Sequence, residues 1–107
     1  MDVRITTRHV TVGDAFAEHA ERRARKLTKF EPRLISVDLI FDNDHGTFST
    51  EARAEVPGVP PLVAKSEDDS KRRSLDSALE KLARQLRRER SKRVDHQAPS
   101  AGAIIEE

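Results

Sequence analysis

The sequence predicts an α+β fold of the order β-α-β-β-β-α, in which two helices pack on one face of a four-stranded sheet. Four short segments alternate apolar and polar side chains, which is the period of a half-buried strand. Two longer segments repeat apolar side chains every three or four residues, which is the period of an amphipathic helix. The chain has 107 residues, enough for one modest core. The second face of the sheet is therefore expected to be exposed to water.

A short strand precedes the first helix. Alternation predicts a strand over residues 2–7, with Val3 and Ile5 facing the core. Apolar residues then recur at helical spacing from Asp14 to about Lys29. The apolar stripe of this predicted helix consists of Phe16, Ala20, Ala24 and Leu27.

Two further strands follow the first helix. The helix is expected to stop at Glu31 and Pro32, because a residue before proline avoids the helical region. The second strand is predicted to face the core through Ile35, Val37, Leu39 and Phe41. Turn-forming residues occupy positions 43–46. The third strand has the most regular alternation, with inward side chains at Phe48, Thr50, Ala52, Ala54 and Val56.

The last two elements are an edge strand and a long helix. Leu62 and Ala64 mark a short fourth strand, placed at a sheet edge because prolines precede it. The second helix is expected from about Ser70 to Arg93. Its apolar stripe consists of Leu75, Leu79, Leu82 and Leu86. About two turns beyond this stripe have no core to pack on, so they need helix propensity or a docking partner.

The chain is expected to form one domain, residues 1–93, followed by a disordered, acidic-ended tail at residues 94–107. No apolar stretch suggests a membrane span or a signal peptide. Cysteine is absent, which excludes disulfides and thiolate zinc sites. These features predict a cytoplasmic monomer that has no membrane partner.

Charge is distributed unevenly along the chain. The net charge is only +1, yet residues 31–70 sum to −6 and residues 71–93 sum to +7. Such polarisation favours a polyanionic partner, and nucleic acid is the first candidate. Aromatic residues make up only 4% of the chain, so base stacking on an aromatic platform is not expected.

Two stripes of cations are predicted on the helix faces that point away from the sheet. The first stripe comprises Arg22, Arg23, Lys26 and Lys29, and the second comprises Lys81, Arg84, Arg88 and Lys92. The charge argument adds Arg25, Arg87 and Arg90, and nine of these eleven cations, all except Arg25 and Arg90, are the predicted contact residues. Side by side, the helices would offer a basic surface to phosphates. The alternative is a solvated face with ion pairs, but the second helix has too few acids to pair its cations.

Three further cations at positions 71–73 oppose the dipole at the start of the second helix. They either contact RNA or neutralise the acids at positions 67–69, and both alternatives stay open.

No motif argues for catalysis. Asp42, Asp44 and His45, with the acids at 67–69, would suit a metal-dependent nuclease, but turn and helix-start chemistry explains them better. The isolated histidines are His9, His19 and His96, and each is expected at the surface. Glycine-rich phosphate loops, GxSxG and HExxH are absent. We therefore predict a protein that is not an enzyme and needs no cofactor or metal.

Two segments resemble the ribosome hibernation-promoting factor family. They are HAERRARKLTKF at residues 19–30 and, above all, LDSALEKLARQLRR at residues 75–88, and the similarity spans residues 1–93. The family has the β-α-β-β-β-α fold. The resemblance implies a factor that binds the small subunit of idle 70S ribosomes against 16S rRNA, in the channel between head and body. There it would overlap mRNA and tRNA at the A and P sites and block translation.

The resemblance also assigns residues. The family's rRNA-contacting cations fall here on Arg23, Lys26, Lys29, Lys81, Arg84 and Arg88. Gly13 replaces the family's threonine cap, and residues 71–73 replace an Asp-Met-Tyr segment. Longer members of the family carry a further C-terminal domain that dimerises ribosomes. We expect this chain of 107 residues to be a short form without that domain. A generic double-stranded RNA-binding domain is the main alternative, since it shares the plan of two helices on a sheet. A protein-interaction domain that uses the exposed sheet face is another.

Overall fold

The computed structural model describes residues 1–97 and contains one four-stranded sheet and two helices. In chain order the elements are β1 (Asp2–Arg8), α1 (Asp14–Arg25), a 3-10 turn (Lys26–Lys29), β2 (Ser36–Asp44), β3 (Thr47–Glu55), β4 (Leu62–Asp68) and α2 (Lys71–Gln97). The strand order is β1-β2-β3-β4. β1 pairs with β2 in parallel, and the other pairs are antiparallel. The predicted α+β class and element order are confirmed.

Both helices lie on the same face of the sheet. Phe41 of β2 and Thr50 of β3 are register partners, so their side chains point to one side. Phe16 of α1 packs edge-to-face on Phe41, with ring centroids 5.4 Å apart. Ser74 of α2 hydrogen-bonds to the buried Thr50 hydroxyl at 2.9 Å. The sheet thus buries one face under two helices, as its alternation predicts.

The core consists of the predicted apolar stripes and the inward faces of the strands. All four predicted leucines of α2 are buried, as are three of the predicted residues from the first helical segment: Ala20, Ala24 and Leu27. Phe16 is half-buried and packs against this cluster. Alanines at positions 52, 54 and 64 let α2 approach β3 and β4 closely. The layer of side chains between helix and sheet is therefore thinnest under α2, the helix that carries most of the basic charge.

A two-residue loop joins β2 to β3. His45 and Gly46 both have positive φ, at 54° and 89°. This is the geometry of the type I′ hairpin turn, which matches the twist of the flanking strands. The Asn43 side-chain oxygen accepts a hydrogen bond from the Gly46 amide at 3.0 Å. The acidic turn at 43–46 therefore has a structural explanation.

Several predicted boundaries differ from the structure. α1 ends at Arg25 and tightens into the 3-10 turn, instead of continuing as an α-helix to Lys29. Ile35 precedes β2 and is 45% exposed, although alternation placed it inward. β4 extends through Asp68 and is longer than predicted. α2 runs to Gln97, so it includes the first part of the predicted tail, and residues 98–107 lie outside the described residues.

The sheet face opposite the helices, called here the open sheet face, carries mixed charges that pair across and along strands. Arg4 bonds to Asp38 at 2.9 Å, and Arg53 bonds to Glu51 at 3.2 Å. Of the polar residues that alternation places on this face, Asp38 and Glu51 are half-buried, and the exposed ones are Arg4, Thr6, Arg53, Glu55 and Lys65. Within residues 1–97, no helix combines the length and apolar character needed to cross a bilayer.

Candidate nucleic-acid interface

A groove between the two helices collects most of the predicted cations. We call it the interhelix groove. Apolar side chains of the 3-10 turn and of α2, including Leu27, Leu79 and Ala83, form part of its lining. Its charged lining consists of Arg23, Lys26, Lys29, Glu80, Arg84 and Arg87. Five cations face one carboxylate, so the groove suits an anionic ligand.

A second groove runs along the other flank of α2, between that helix and β4. We call it the edge groove. It is lined by Leu62, Lys81, Arg84, Gln85, Arg88 and Glu89. Arg84 lines both grooves, so it stands on the crest of α2 between them. Seven of the nine predicted contact residues therefore line two grooves rather than one continuous surface, and Arg22 and Lys92 line neither groove.

Three of the nine predicted residues already have protein partners. Arg23 pairs with Asp76 of α2 at 2.6 Å, which ties α1 to α2. The Lys81 ammonium donates to the Lys65 carbonyl of β4 at 2.9 Å. Lys92 pairs with Glu89 at 3.3 Å. These contacts give the three residues structural roles in addition to any contact with a ligand.

The other six predicted residues keep their charge uncompensated at short range. No carboxylate of residues 1–93 lies within 4.0 Å of their charged groups. They are Arg22, Lys26, Lys29, Arg84, Arg87 and Arg88. Arg25, by contrast, is engaged by Glu21 at 2.7 Å and by the Met1 carbonyl at 2.9 Å. The strongest positive potential is therefore expected where the 3-10 turn faces the middle of α2.

Phe30 lies at one end of the interhelix groove, half-buried between the helices. The Lys29 ammonium lies 5.3 Å from its ring centroid and the Arg87 guanidinium lies 4.9 Å from it. Such cation–π contacts fix the direction of long side chains without neutralising their charge. Phe30 therefore holds two cations of the groove in place.

The three cations at positions 71–73 make contacts within the protein. Arg73 pairs with Asp68 at 3.0 Å, and Arg72 lies 4.0 Å from Asp76. The Lys71 ammonium lies 4.9 Å from the Phe16 ring and donates to a backbone carbonyl. Ser70 caps the helix by accepting from the Arg73 amide at 3.2 Å. Arg73 thus neutralises one of the acids at 67–69, whereas Lys71 and Arg72 contact other groups, and RNA contact by these cations stays a prediction.

Comparison with known proteins identifies the family. The model of the family described as Sigma 54 modulation protein / S30EA ribosomal protein matches residues 3–94. The chain belongs to this family. The match covers every described strand and both helices apart from their outermost residues, and it confirms the resemblance drawn from the helix segments.

Relatives of this S30EA chain carry ribosome-related names. Ribosome-associated factor Y of Haemophilus influenzae is 33% identical over 86 residues, which is 80% of this chain and 79% of that protein. The ribosome hibernation promoting factor of Azotobacter vinelandii is 28% identical over 97 residues, which is 91% of this chain and 90% of the relative.

Two solved structures share the fold of the S30EA chain. A ribosomal subunit interface protein from Coxiella burnetii has a TM-score of 0.78 at 21% identity, covering 85% of this chain and 99% of that one. The protein Y N-terminal domain of Thermus thermophilus has a TM-score of 0.74 at 18% identity, covering 82% and 98%. At these identities the two structures support the fold alone.

Sequence reasoning missed the residue that anchors the end of α2 in this S30EA chain. Glu31 was expected only to stop the first helix, yet its carboxylate is fully buried and pairs with Arg93 at 2.6 Å. Burial raises the pKa of Glu31, but hydrogen bonds from Arg93 and from the Arg33 amide outweigh it and lower that pKa below its ordinary value. The last turns of α2 therefore have an ionic anchor instead of an apolar core.

His19 was wrongly expected at the surface. It is half-buried, and its Nε2 atom is enclosed with no hydrogen-bond partner among the described residues. Burial lowers the pKa of His19, and the neighbouring Arg72 and Arg23 lower it further. The available signal was its position three residues after Phe16, at the flank of the apolar stripe.

The acidic turns do not assemble a metal centre in the part of the chain that the structure describes. Among these residues, no group of three or more histidines and carboxylates lies close enough to hold an ion. His9 contacts Asp42 at 3.0 Å, and His45 contacts the adjacent Asp44 at 2.5 Å. The hydrogen bond from His9 lowers the pKa of Asp42, a carboxylate near the end of β2.

Proposed function

We propose that this chain is a ribosome hibernation factor that binds 16S rRNA in the decoding channel of the small subunit and blocks mRNA and tRNA at the A and P sites. The observation that carries the proposal is the set of six uncompensated cations on the two helical segments, five of which line the two grooves beside α2. Family membership and the names of the relatives support a ribosomal partner.

The proposed mechanism is occlusion. Arginine guanidinium groups of α2 form forked hydrogen bonds with rRNA phosphates, and the lysines of the 3-10 turn add point charges. The rigid sheet behind the helices then fills space that tRNA and mRNA would occupy. No bond is made or broken, so the protein acts without catalysis and without a cofactor. It acts as a monomer in the cytoplasm, where ribosomes are found.

Generic binding to duplex RNA is the competing function, because a sheet with two helices on one face is also the plan of double-stranded RNA-binding domains. The two functions predict different competition. An occlusion factor is displaced by ligands of the decoding channel, whereas a generic binder is displaced by any RNA duplex.

The test is co-sedimentation of the purified chain with 30S subunits and 70S ribosomes. Binding near one chain per 30S subunit that initiator tRNA and mRNA displace is the expected result. Displacement by free duplex RNA, with no effect of tRNA and mRNA, would favour the generic binder instead. Intact 16S rRNA at the end of the incubation would also count against a nuclease.

A set of variants assigns the binding to the helices. Lys26→Ala, Arg84→Ala and Arg87→Ala should each weaken co-sedimentation. Arg53→Ala removes a cation from the open sheet face and serves as the matched control, which should bind like the unmodified chain. Equal binding by all four variants would refute the placement of the interface.

A further inference from the structure

We propose that α2 lies between two separate segments of RNA backbone and contacts one of them with each flank. The inference rests on the proposed function and specifies how the RNA is held. Arg84 lines both the interhelix groove and the edge groove, so the crest of α2 separates them. The leucine stripe of α2 faces the sheet and leaves both flanks accessible.

The geometry of a helix argues against one strand filling both grooves. An α-helix with its side chains is about 10–12 Å across, so backbones on opposite flanks lie at least that far apart. Each groove has cations that the other lacks. The interhelix groove has Lys26, Lys29 and Arg87, whereas the edge groove has Lys81 and Arg88.

The edge groove suits phosphate better than an added peptide strand. The outward carbonyls of Lys65 and Val63 on β4 already accept hydrogen bonds from Lys81 and Gln85, each at 2.9 Å. These contacts occupy acceptors that a docking strand would need. The Lys81 ammonium has three N–H groups and uses one of them here, so it still has donors for an anion.

Glu89, the acid that lines the edge groove, does not neutralise the positive charge of the groove. Glu89 lines the groove but pairs with Lys92 at 3.3 Å. Arg84 and Arg88 have no carboxylate of residues 1–93 within 4.0 Å. Two arginines with open guanidinium forks are a typical phosphate-binding set.

The absence of cysteine permits a direct test. Ser91→Cys places a single thiol by Phe30 and Arg87 at one end of the interhelix groove, and Leu62→Cys places one on β4 in the lining of the edge groove. Each variant, labelled with an iron chelate that generates hydroxyl radicals, is bound to 30S subunits, and the cleaved 16S rRNA nucleotides are mapped. We expect two separate stretches of cleavage, one for each thiol.

The map also distinguishes the source of the two backbones. Stretches that pair with each other would indicate the two strands of one rRNA duplex, and unpaired stretches would indicate two different rRNA helices. Either result supports the proposal. Cleavage of the same single stretch from both positions would overturn it.

Charge reversals provide an independent measurement. Lys26→Glu in the interhelix groove and Arg88→Glu in the edge groove should each weaken 30S binding by about tenfold or more. Their effects should multiply in the double variant, because the residues contact different RNA segments. Arg53→Glu, on the open sheet face, is the matched control and should change affinity less than about twofold, once circular dichroism shows that all variants are folded.

The outcomes separate this inference from the proposed function. If the unmodified chain does not bind 30S subunits, the proposed function is wrong. If it binds and Lys26→Glu weakens binding while Arg88→Glu does not, the function stands and the second RNA segment is wrong.

Discussion

The number of uncompensated cations determines how steeply RNA binding should weaken with salt. Each phosphate that a protein neutralises releases condensed counterions, so the logarithm of affinity falls by about 0.9 per contact for each decade of salt. Six of the nine candidate residues have neither a carboxylate nor a carbonyl partner among residues 1–93. Six contacts predict a slope of about −5, which is a loss of about 10³ in affinity between 50 and 200 mM salt.

Counting all nine candidate residues as phosphate contacts predicts a steeper dependence of affinity on salt. If Arg23, Lys81 and Lys92 also neutralised phosphates, the slope would be about −8 and the loss about 10⁵. The structure favours a value nearer the lower one, because Arg23 and Lys92 already pair with carboxylates, and only Lys81, which donates one of its three N–H groups to a carbonyl, can add a seventh contact.

The assay is a titration of labelled chain with 30S subunits at four salt concentrations. Lys26→Met should make the slope shallower by about one unit, whereas Arg23→Met, which removes a cation already paired with Asp76, should change it by less than half of that. A slope near −8, or equal changes for the two variants, would refute the distinction between paired and unpaired cations. A slope near zero would refute binding through phosphates altogether.

Three further predictions concern polar side chains that support the site. Glu31→Gln should lower the free energy of unfolding in urea by about 2 kcal/mol, whereas Glu21→Gln, in an exposed pair with Arg25, should cost less than about 0.5 kcal/mol; equal losses would refute the buried anchor. Because burial and nearby arginines lower the pKa of His19, the folded state resists its protonation, and stability should fall as pH drops below about 6.5. His19→Gln should remove that part of the decline, so unchanged pH profiles would contradict it. Asp76→Asn frees Arg23 and Arg72 of their shared acid and should tighten 30S binding severalfold, while weaker binding would show that the carboxylate positions Arg23 for RNA.

The fold could be predicted because its signals are local. Period-two alternation in β2 and β3 and the leucines of α2 each reflect one element packing on one face, so no distant residue is needed to interpret them. The ends of helices and strands were predicted less accurately where two effects compete. The chain between Arg25 and Phe30 has helical spacing, yet it tightens into a 3-10 turn ahead of the break at Pro32.

The missing parts of the site depend on distant contacts. Helical spacing placed Arg23 in a basic stripe but could not reveal Asp76, which lies 53 residues away. Glu31 reads as exposed, since glutamate is seldom fully buried, and its partner Arg93 lies 62 residues further along the chain. Composition counts charges along the chain, whereas their pairing is decided only by tertiary structure.

The separation of charge between the two sides of the molecule has a kinetic consequence. The helices present mostly cations, whereas the open sheet face mixes cations with acids such as Asp38, Asp42 and Glu67, so the excess positive charge lies on the helix side and forms a charge dipole. In the field of a polyanion such a dipole experiences a torque that turns the helices forward before contact. A larger fraction of collisions then starts in a productive orientation, which raises the association rate at low ionic strength. The acids of the open sheet face would also disfavour backward encounters, so charges outside the proposed RNA interface would still select the direction of approach.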